Sequence, residues 1–369
     1  MQIDMHYYGV CALALLAGLN QKTAEVIATA SQYVDDSVRN DTLDHESGAK
    51  LIPEETAHHT ADLRNLDRDH QRFIWIPFHF FPGNRGKALT ERLVCREDSK
   101  LARTMVSHHL GLAKRPYAQE LMGITAHVYA DTFAHFGFSG VSSRRNKVDN
   151  EDLEILDVSV RTRKYWDQEI PKWFRKYGKS GGWWKNIKRS LFSAGAEAIS
   201  GALGHGAVLT FPDQPYLRWR YVYEENFPDR PRQEVERENQ THYLRACRKI
   251  YDMLSRFAQK REDLRSNTAT GDFSQAEEKI RQILAMQDGK NARSKAWRNL
   301  VKNEAMFGNL TITPYDADAG WNNERNDFPA LEDAGEMTNF SVFRFFQAAS
   351  LHRHYVLREL LPANGIVVI

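Results

Sequence analysis

The chain has 369 residues, 42% hydrophobic and 27% charged, with 50 Lys and Arg against 48 Asp and Glu for a formal net charge of +2. This is the balance of a folded globular protein and excludes a disordered or fibrous chain. Near-cancellation of charge excludes a globally basic nucleic-acid binder, leaving room only for a local patch. Three scattered cysteines, Cys11, Cys95 and Cys247, exclude a disulfide framework and a thiolate zinc site.

In chain order the pattern reads almost entirely helical. The apolar run Tyr7–Leu19 predicts a helix over 7–18. It spans about 13 residues against the roughly 20 a membrane crossing needs. Gln2, Ile3 and Asp4 precede it in place of a basic segment, so no secretory leader is expected and the default location is cytoplasmic, specialised export aside. Asn20 is placed to cap a helix over 21–36, where Ala24, Ile27, Ala28 and Ser31 recur at helical spacing. Residues 40–70 are polar and His-rich and read as a long loop. Phe73-Ile-Trp-Ile-Pro-Phe-His-Phe-Phe-Pro-Gly is β-prone, but Pro77 and Pro82 interrupt it, so an extended segment outside any sheet is expected. Helices are predicted over 87–113, 117–137, 149–178 and 186–203, then two long charged helices over 231–265 and 275–304. A loop over 308–335 and a final helix over 341–361 complete the chain. The expected class is all-α: a helical bundle with a buried His/Asp metal centre over 1–225, and a C-terminal helical region over 226–369 packed on it.

The chemistry concentrates in Gly123-Ile-Thr-Ala-His127-Val-Tyr-Ala-Asp131-Thr-Phe-Ala-His135-Phe-Gly. Steps of four residues turn a helix by only about 40°, so His127, Asp131 and His135 fall within roughly 80° of one face. They span about 12 Å along the axis, too far for both histidines to bind one metal. Two metals with one histidine on each and Asp131 bridging would fit. Three ionisable groups on an otherwise apolar face cost several kcal/mol to bury unpartnered. Asp4-Met-His6, the helix end Ala30-Ser31-Gln-Tyr-Val-Asp35-Asp36, His58-His59, His79 and Gly204-His205-Gly206 supply further candidates, each of which taken alone is more often structural. Eight of the 14 histidines lie between 45 and 127, which favours a metal bound through N and O.

Together these segments resemble the all-α zinc-dependent phospholipase C and S1/P1 nuclease superfamily. The strings Asp-Met-His-Tyr-Tyr-Gly-Val, Ala-Ser-Gln-Tyr-Val-Asp-Asp, Pro-Phe-His-Phe-Phe-Pro-Gly and Ala-His-Val-Tyr-Ala-Asp-Thr-Phe-Ala-His-Phe-Gly-Phe-Ser-Gly look closer still to an uncharacterised bacterial family of unknown function. The resemblance covers roughly residues 1–225. It implies His6, Asp35, His59 or His79, His127, Asp131, His135 and His205 as ligands of two zinc ions, with Asp35 and Asp131 beside the attacking water. The chain departs from the superfamily in lacking its N-terminal Trp ligand, in the shorter Asp131–His135 spacing, and in placing Leu209 where an acid is expected, with Asp213 the nearest substitute.

Residues 171–190 hold seven Lys or Arg and no acid, interleaved with Trp173, Phe174, Tyr177, Trp183 and Trp184. Such a stretch suits an anionic membrane surface or a single strand of nucleic acid, as well as a plain solvated face. The expected function is a metal-dependent phosphodiester hydrolase acting on phospholipid in preference to nucleic acid, with peripheral membrane contact through 171–190. The rivals are a single-strand nuclease and a non-enzymatic helical binding protein with a structural metal.

Overall fold

The computed structural model describes residues 1–58, 63–177, 203–266, 271–308 and 310–368. A π-helical turn, Asp4–Gly9, runs into α1 (Val10–Leu16), and α2 (Gln21–Asp36) follows, capped by the Asn20 side chain accepting from the Thr23 N–H. Further on come α3 (Lys100–Gly111), α4 (Ala118–Ala134) and α5 (Val160–Tyr177). The last third contains α6 (Asn239–Lys260), α7 (Phe273–Ala285), α8 (Lys290–Asn303) and α9 (Ser341–His354).

α4 is the axis of the molecule. Apolar on nearly every side, it is buried along almost its whole length, as expected of a helix hydrophobic all round. α2, α3, α6 and α9 pack about it. α2 lies closest because position 123 is glycine: a Cβ there would stand 2.3 Å from the Ile27 carbonyl oxygen and 2.5 Å from Ala30 Cβ. The main core joins the N-terminal helices to α6–α9, running from Met1 to Val368, and a smaller core forms around Phe80, Phe211 and Trp219. Residues on both sides of position 225 contribute to the main core, the packing of the C-terminal helices on the N-terminal part.

The molecule is mostly helical, and the all-α expectation is corrected by two small sheets. β1 (Leu43–Asp44) pairs with β2 (Lys50–Leu51) in the long loop. β3 (Val148–Leu156), β4 (Arg218–Tyr223) and β5 (Glu234–Glu238) form an antiparallel sheet in the order β3-β4-β5. β3 displaces the start of the helix expected over 149–178, and β5 the start of that over 231–265. The physical reason lies in β4, where Trp219, Tyr221 and Tyr223 point inward and Arg218 and Arg220 outward. The arginines meet Glu154 and Asp157 on one side and Glu234 and Glu236 on the other, and cross-strand charge pairs of this kind fix the register. The segment 71–78 is helical where an extended run was expected. Pro77 falls in the last turn of this run, directly after the π-helical stretch Gln71–Trp75, and the helix ends at Phe78. The single helix expected over 87–113 is two, Leu89–Arg92 and α3, with Ser99 capping the second. Residues 308–335 hold short helical turns where a plain loop was read.

Two stability predictions follow from α4. Gly123→Ala should push α2 and α4 apart and cost on the order of 1–3 kcal/mol, read as a lower denaturant midpoint. Glu120, only 1% exposed, has its carboxyl pushed up to about 7 by burial, against the opposing pull of a backbone hydrogen bond and Arg344. Between the unfolded value near 4.5 and that folded value the native state holds the proton more tightly, so stability falls as pH rises through this window. Glu120→Gln should therefore stabilise the protein at about pH 8 by up to about 3 kcal/mol, the gain vanishing below about pH 4.

Candidate metal centre

Five segments deliver side chains to one buried focus. The N-terminal turn brings the Met1 amine and His6. The C-terminal end of α2 brings Asp35, and the helical turn after Pro77 brings His79. α4 and its C-cap bring His127, Asp131 and His135, and the loop before β4 brings His205 and Asp213. His6 and His127 are fully buried, Asp131 is 1% exposed, and Asp35 retains 32% side-chain exposure.

Four of the imidazoles are aimed by main-chain carbonyls. His127 Nδ1 lies 2.7 Å from the Ser31 oxygen, His79 Nε2 2.9 Å from Thr56, His135 Nδ1 2.7 Å from His79, and His205 Nδ1 2.7 Å from Leu209. A carbonyl only accepts, so each of these nitrogens is the N–H. The opposite nitrogen of each neutral ring is then a lone pair. Those lone pairs point inward at one another and at carboxylates. His127 Nε2 and His79 Nδ1 are 3.3 Å apart, and Asp131 Oδ2 is 3.3 Å from the first and 3.6 Å from the second. Asp35 Oδ1 is 3.9 and 3.8 Å from the same two atoms. Beyond Asp131, His135 Nε2 is 3.2 Å from Asp213 Oδ1, and His205 Nε2 is 3.5 Å from Asp213 Oδ2. Donors on one tetrahedral zinc lie about 3.3 Å apart, given bonds near 2.0–2.1 Å, so the spacing fits a shared cation.

Second contacts hold this arrangement. The Thr56 carbonyl is itself placed by its own hydroxyl, which donates to the Val34 oxygen at 2.7 Å, and by its N–H on Ser37. Arg237, buried in the sheet, donates to the Ala134 and Phe136 carbonyls at 2.5 and 3.2 Å, fixing the end of α4 on either side of His135. Phe80 stacks on His135 at 4.8 Å between centroids, and Gly204, at φ +56°, lets Phe80 approach where a Cβ would meet its ring at 2.4 Å.

The electrostatics set His127 apart from the other rings. Burial pushes His6 down to about 3 and His205 to about 4, and it lowers His79 as well. His127 moves upward, since Asp131 and Asp35 outweigh its burial. Against a heavy burial cost, His135, the Met1 amine, His127 and His6 hold Asp131 well below the usual carboxylate range. The Met1 amine is 2.7 Å from Asp131 Oδ1 and 3.3 Å from Asp213 Oδ1, and despite burial those carboxylates raise it to about 11. His6 stacks on His127 with centroids 3.8 Å apart, and Nε2 is 3.2 Å from Asp131 Oδ1, yet neither ring nitrogen has a hydrogen-bond partner.

Of the residues singled out from the sequence, His6, Asp35, His79, His127, Asp131, His135 and His205 thus meet at one focus. His59 lies outside the described residues. Its neighbour His58 is buried and pairs with Glu55 at 3.0 Å and His70 at 3.2 Å, apart from the focus. Asp213, weighed only as a substitute, is an integral member, because the chain turns back through Phe211–Asp213 after His205. The Met1 amine went unread, since no residue pattern marks a backbone amine. The tail of the basic aromatic stretch, 178–190, lies outside the described residues, as does the helix expected over 186–203. Among the described residues no helix is long and apolar enough to cross a membrane.

Residues 1–360 match a family described as a family of unknown function (DUF6765), and the chain belongs to that family. No curated protein and no solved structure matches it.

Proposed function

We propose that the focus is a divalent-metal centre, with zinc the expected ion, and that the protein is a metal-dependent phosphodiester hydrolase of phospholipase C type. The observation that carries the metal is the set of four outward-locked N–H groups, which leaves an inner shell of acceptors. Imidazole nitrogens and carboxylates gathered at 3.2–3.9 Å need positive charge among them. The Met1 ammonium supplies it beside Asp131 and Asp213, and a metal ion would supply it for Asp35, His79 and His127. His6, with two unpartnered buried nitrogens, fits the same need. Asp35, His79 and His127 would hold one ion, His135, His205 and Asp213 a second, with Asp131 between them and His6 beside it.

A divalent pair supplies Lewis acidity and a water of lowered pKa. The chain's own residues supply the rest. Asp35 is the most exposed acid of the set, so its carboxylate is placed to take the proton of an attacking water. Asp131, dry and ionised, fixes the charge at the middle of the site. A cleft of about 910 Å³ opens beside Gln2, Thr210 and Gln214, neighbours of Met1 and Asp213. Its wall carries Arg161, Lys172 and Lys290, the first two facing Asp288 and Glu169 at 3.8 and 2.7 Å, which leaves Lys290 as the cation to meet an anionic substrate. The phosphoric-ester class and the preference for phospholipid rest on the sequence resemblance and on the basic stretch 171–190, proposed as a peripheral membrane contact. Tyr165, 55% exposed in the same cleft, favours the single-strand nuclease as the second reading, since bases stack on such rings.

Elemental analysis of protein purified without a His tag should find about two transition-metal ions per chain. Asp131→Asn should lose metal and activity together. A fully folded, metal-free protein from metal-replete cells would sink the reading. Asp35→Asn is expected to lower turnover on the preferred substrate by about 10²–10⁴-fold while the His135–His205–Asp213 ion stays bound. A panel of phospholipids and single-stranded oligonucleotides separates the two substrate classes.

A further inference from the structure

A second concave site lies on α8, away from the metal focus. The helix reads Lys-Asn-Ala-Arg-Ser-Lys-Ala-Trp-Arg-Asn-Leu-Val-Lys-Asn, with five cations and no acid. Arg293 is spent inward on Asp4, part of the buried anchoring of the N-terminal turn. Lys295, Arg298 and Lys302 recur at three and four residues and share one face. They line a groove of about 540 Å³ whose lining includes no carboxylate. Among the described residues none of the three makes an ion pair. Arg298 is held by its Nε, which donates to the Ile312 carbonyl at 3.1 Å, leaving its two terminal nitrogens available. Asn299 and Thr311 add neutral donors, and Tyr8, the Tyr315 ring and Ile312 form a packed floor.

We infer that this groove binds a small soluble molecule carrying two linked phosphoryl groups, such as a diphosphate or a nucleoside diphosphate. Its volume falls in the range of small-molecule sites, roughly 300–1,000 Å³, and it is concave where a membrane contact would be broad. Lys295 and Lys302 stand about 10 Å apart along the helix axis, so the row exceeds what one phosphate needs. A guanidinium and two ammonium groups with no competing carboxylate match a doubly charged oxyanion. A tyrosine wall suits a ring carried by the same ligand. The site is independent of the metal centre.

The test is calorimetric titration of the full-length protein, as purified and without added divalent metal, with sodium pyrophosphate and with ADP. Binding of one ligand per chain, weakening with salt, is expected. The Lys295→Glu/Lys302→Glu double variant should bind at least about tenfold more weakly, with metal content and circular dichroism unchanged, and the milder Lys295→Gln/Lys302→Gln pair should lose affinity in the same direction. Affinity unaltered in both variants, or abolished only by Asp131→Asn, would place the ligand at the metal centre and overturn the inference. So would the absence of binding at millimolar ligand, or binding to phosphatidic acid vesicles with none to pyrophosphate.

Discussion

Four hydrogen bonds from imidazole N–H groups to main-chain carbonyls hold the centre together. Ser31, Thr56, His79 and Leu209 each offer an oxygen, and each takes the proton-bearing edge of a histidine. A single such bond adds only about 0.5–1.5 kcal/mol net, but its directional effect is larger. It decides which nitrogen faces inward, so helix, turn and loop positions become chemistry. His79 is both aimed, through its ring, and aiming, through its carbonyl on His135. A shift of the turn after Pro77 would therefore disturb two of these imidazoles together.

The cost of gathering so many ionisable groups in a dry interior is large, and the surrounding fold is arranged to bear it. A helix buried along almost its whole length carries the three central groups, and Gly123 lets α2 close onto it until the Ser31 carbonyl reaches His127. Arg237 reaches from the small sheet to the carbonyls at the end of α4. The buried Asp4–Arg293 pair ties the N-terminal turn to α8, keeping His6 stacked on His127. The C-terminal helices thus complete the same core that supports His6 and Asp35.

Charge is distributed with the same economy. The focus collects carboxylates and imidazoles around the Met1 ammonium, whereas the outer face of α8 collects cations that make no ion pair among the described residues, and no acid. The N-terminal turn lies between the two regions, with His6 on one side and Tyr8 on the other.

The sequence by itself determined the helical character of most of the chain and the central trio. His127, Asp131 and His135 are four residues apart, and a helix converts that spacing into one face without help from the rest of the fold. It also marked His6, His79 and His205 as candidates from the short strings that hold them, and Asp35 because it continues the small face of Ala24, Ala28 and Ser31. Tertiary structure decided the remainder. Whether Asp213 joins His205 depends on the turn at Phe211–Asp213, and whether His79 faces His127 depends on the helical run ending at Phe78 and on the Thr56 carbonyl across the molecule. The strands β3 and β5 were hidden because their acidic residues read as a charged helix until the arginines of β4 paired with them. The tautomers that turn a histidine cluster into an inward-facing set of acceptors depend on carbonyls up to 96 residues away in sequence. Local periodicity reports which residues share a face, and only packing between distant segments reports which atoms of those residues face one another.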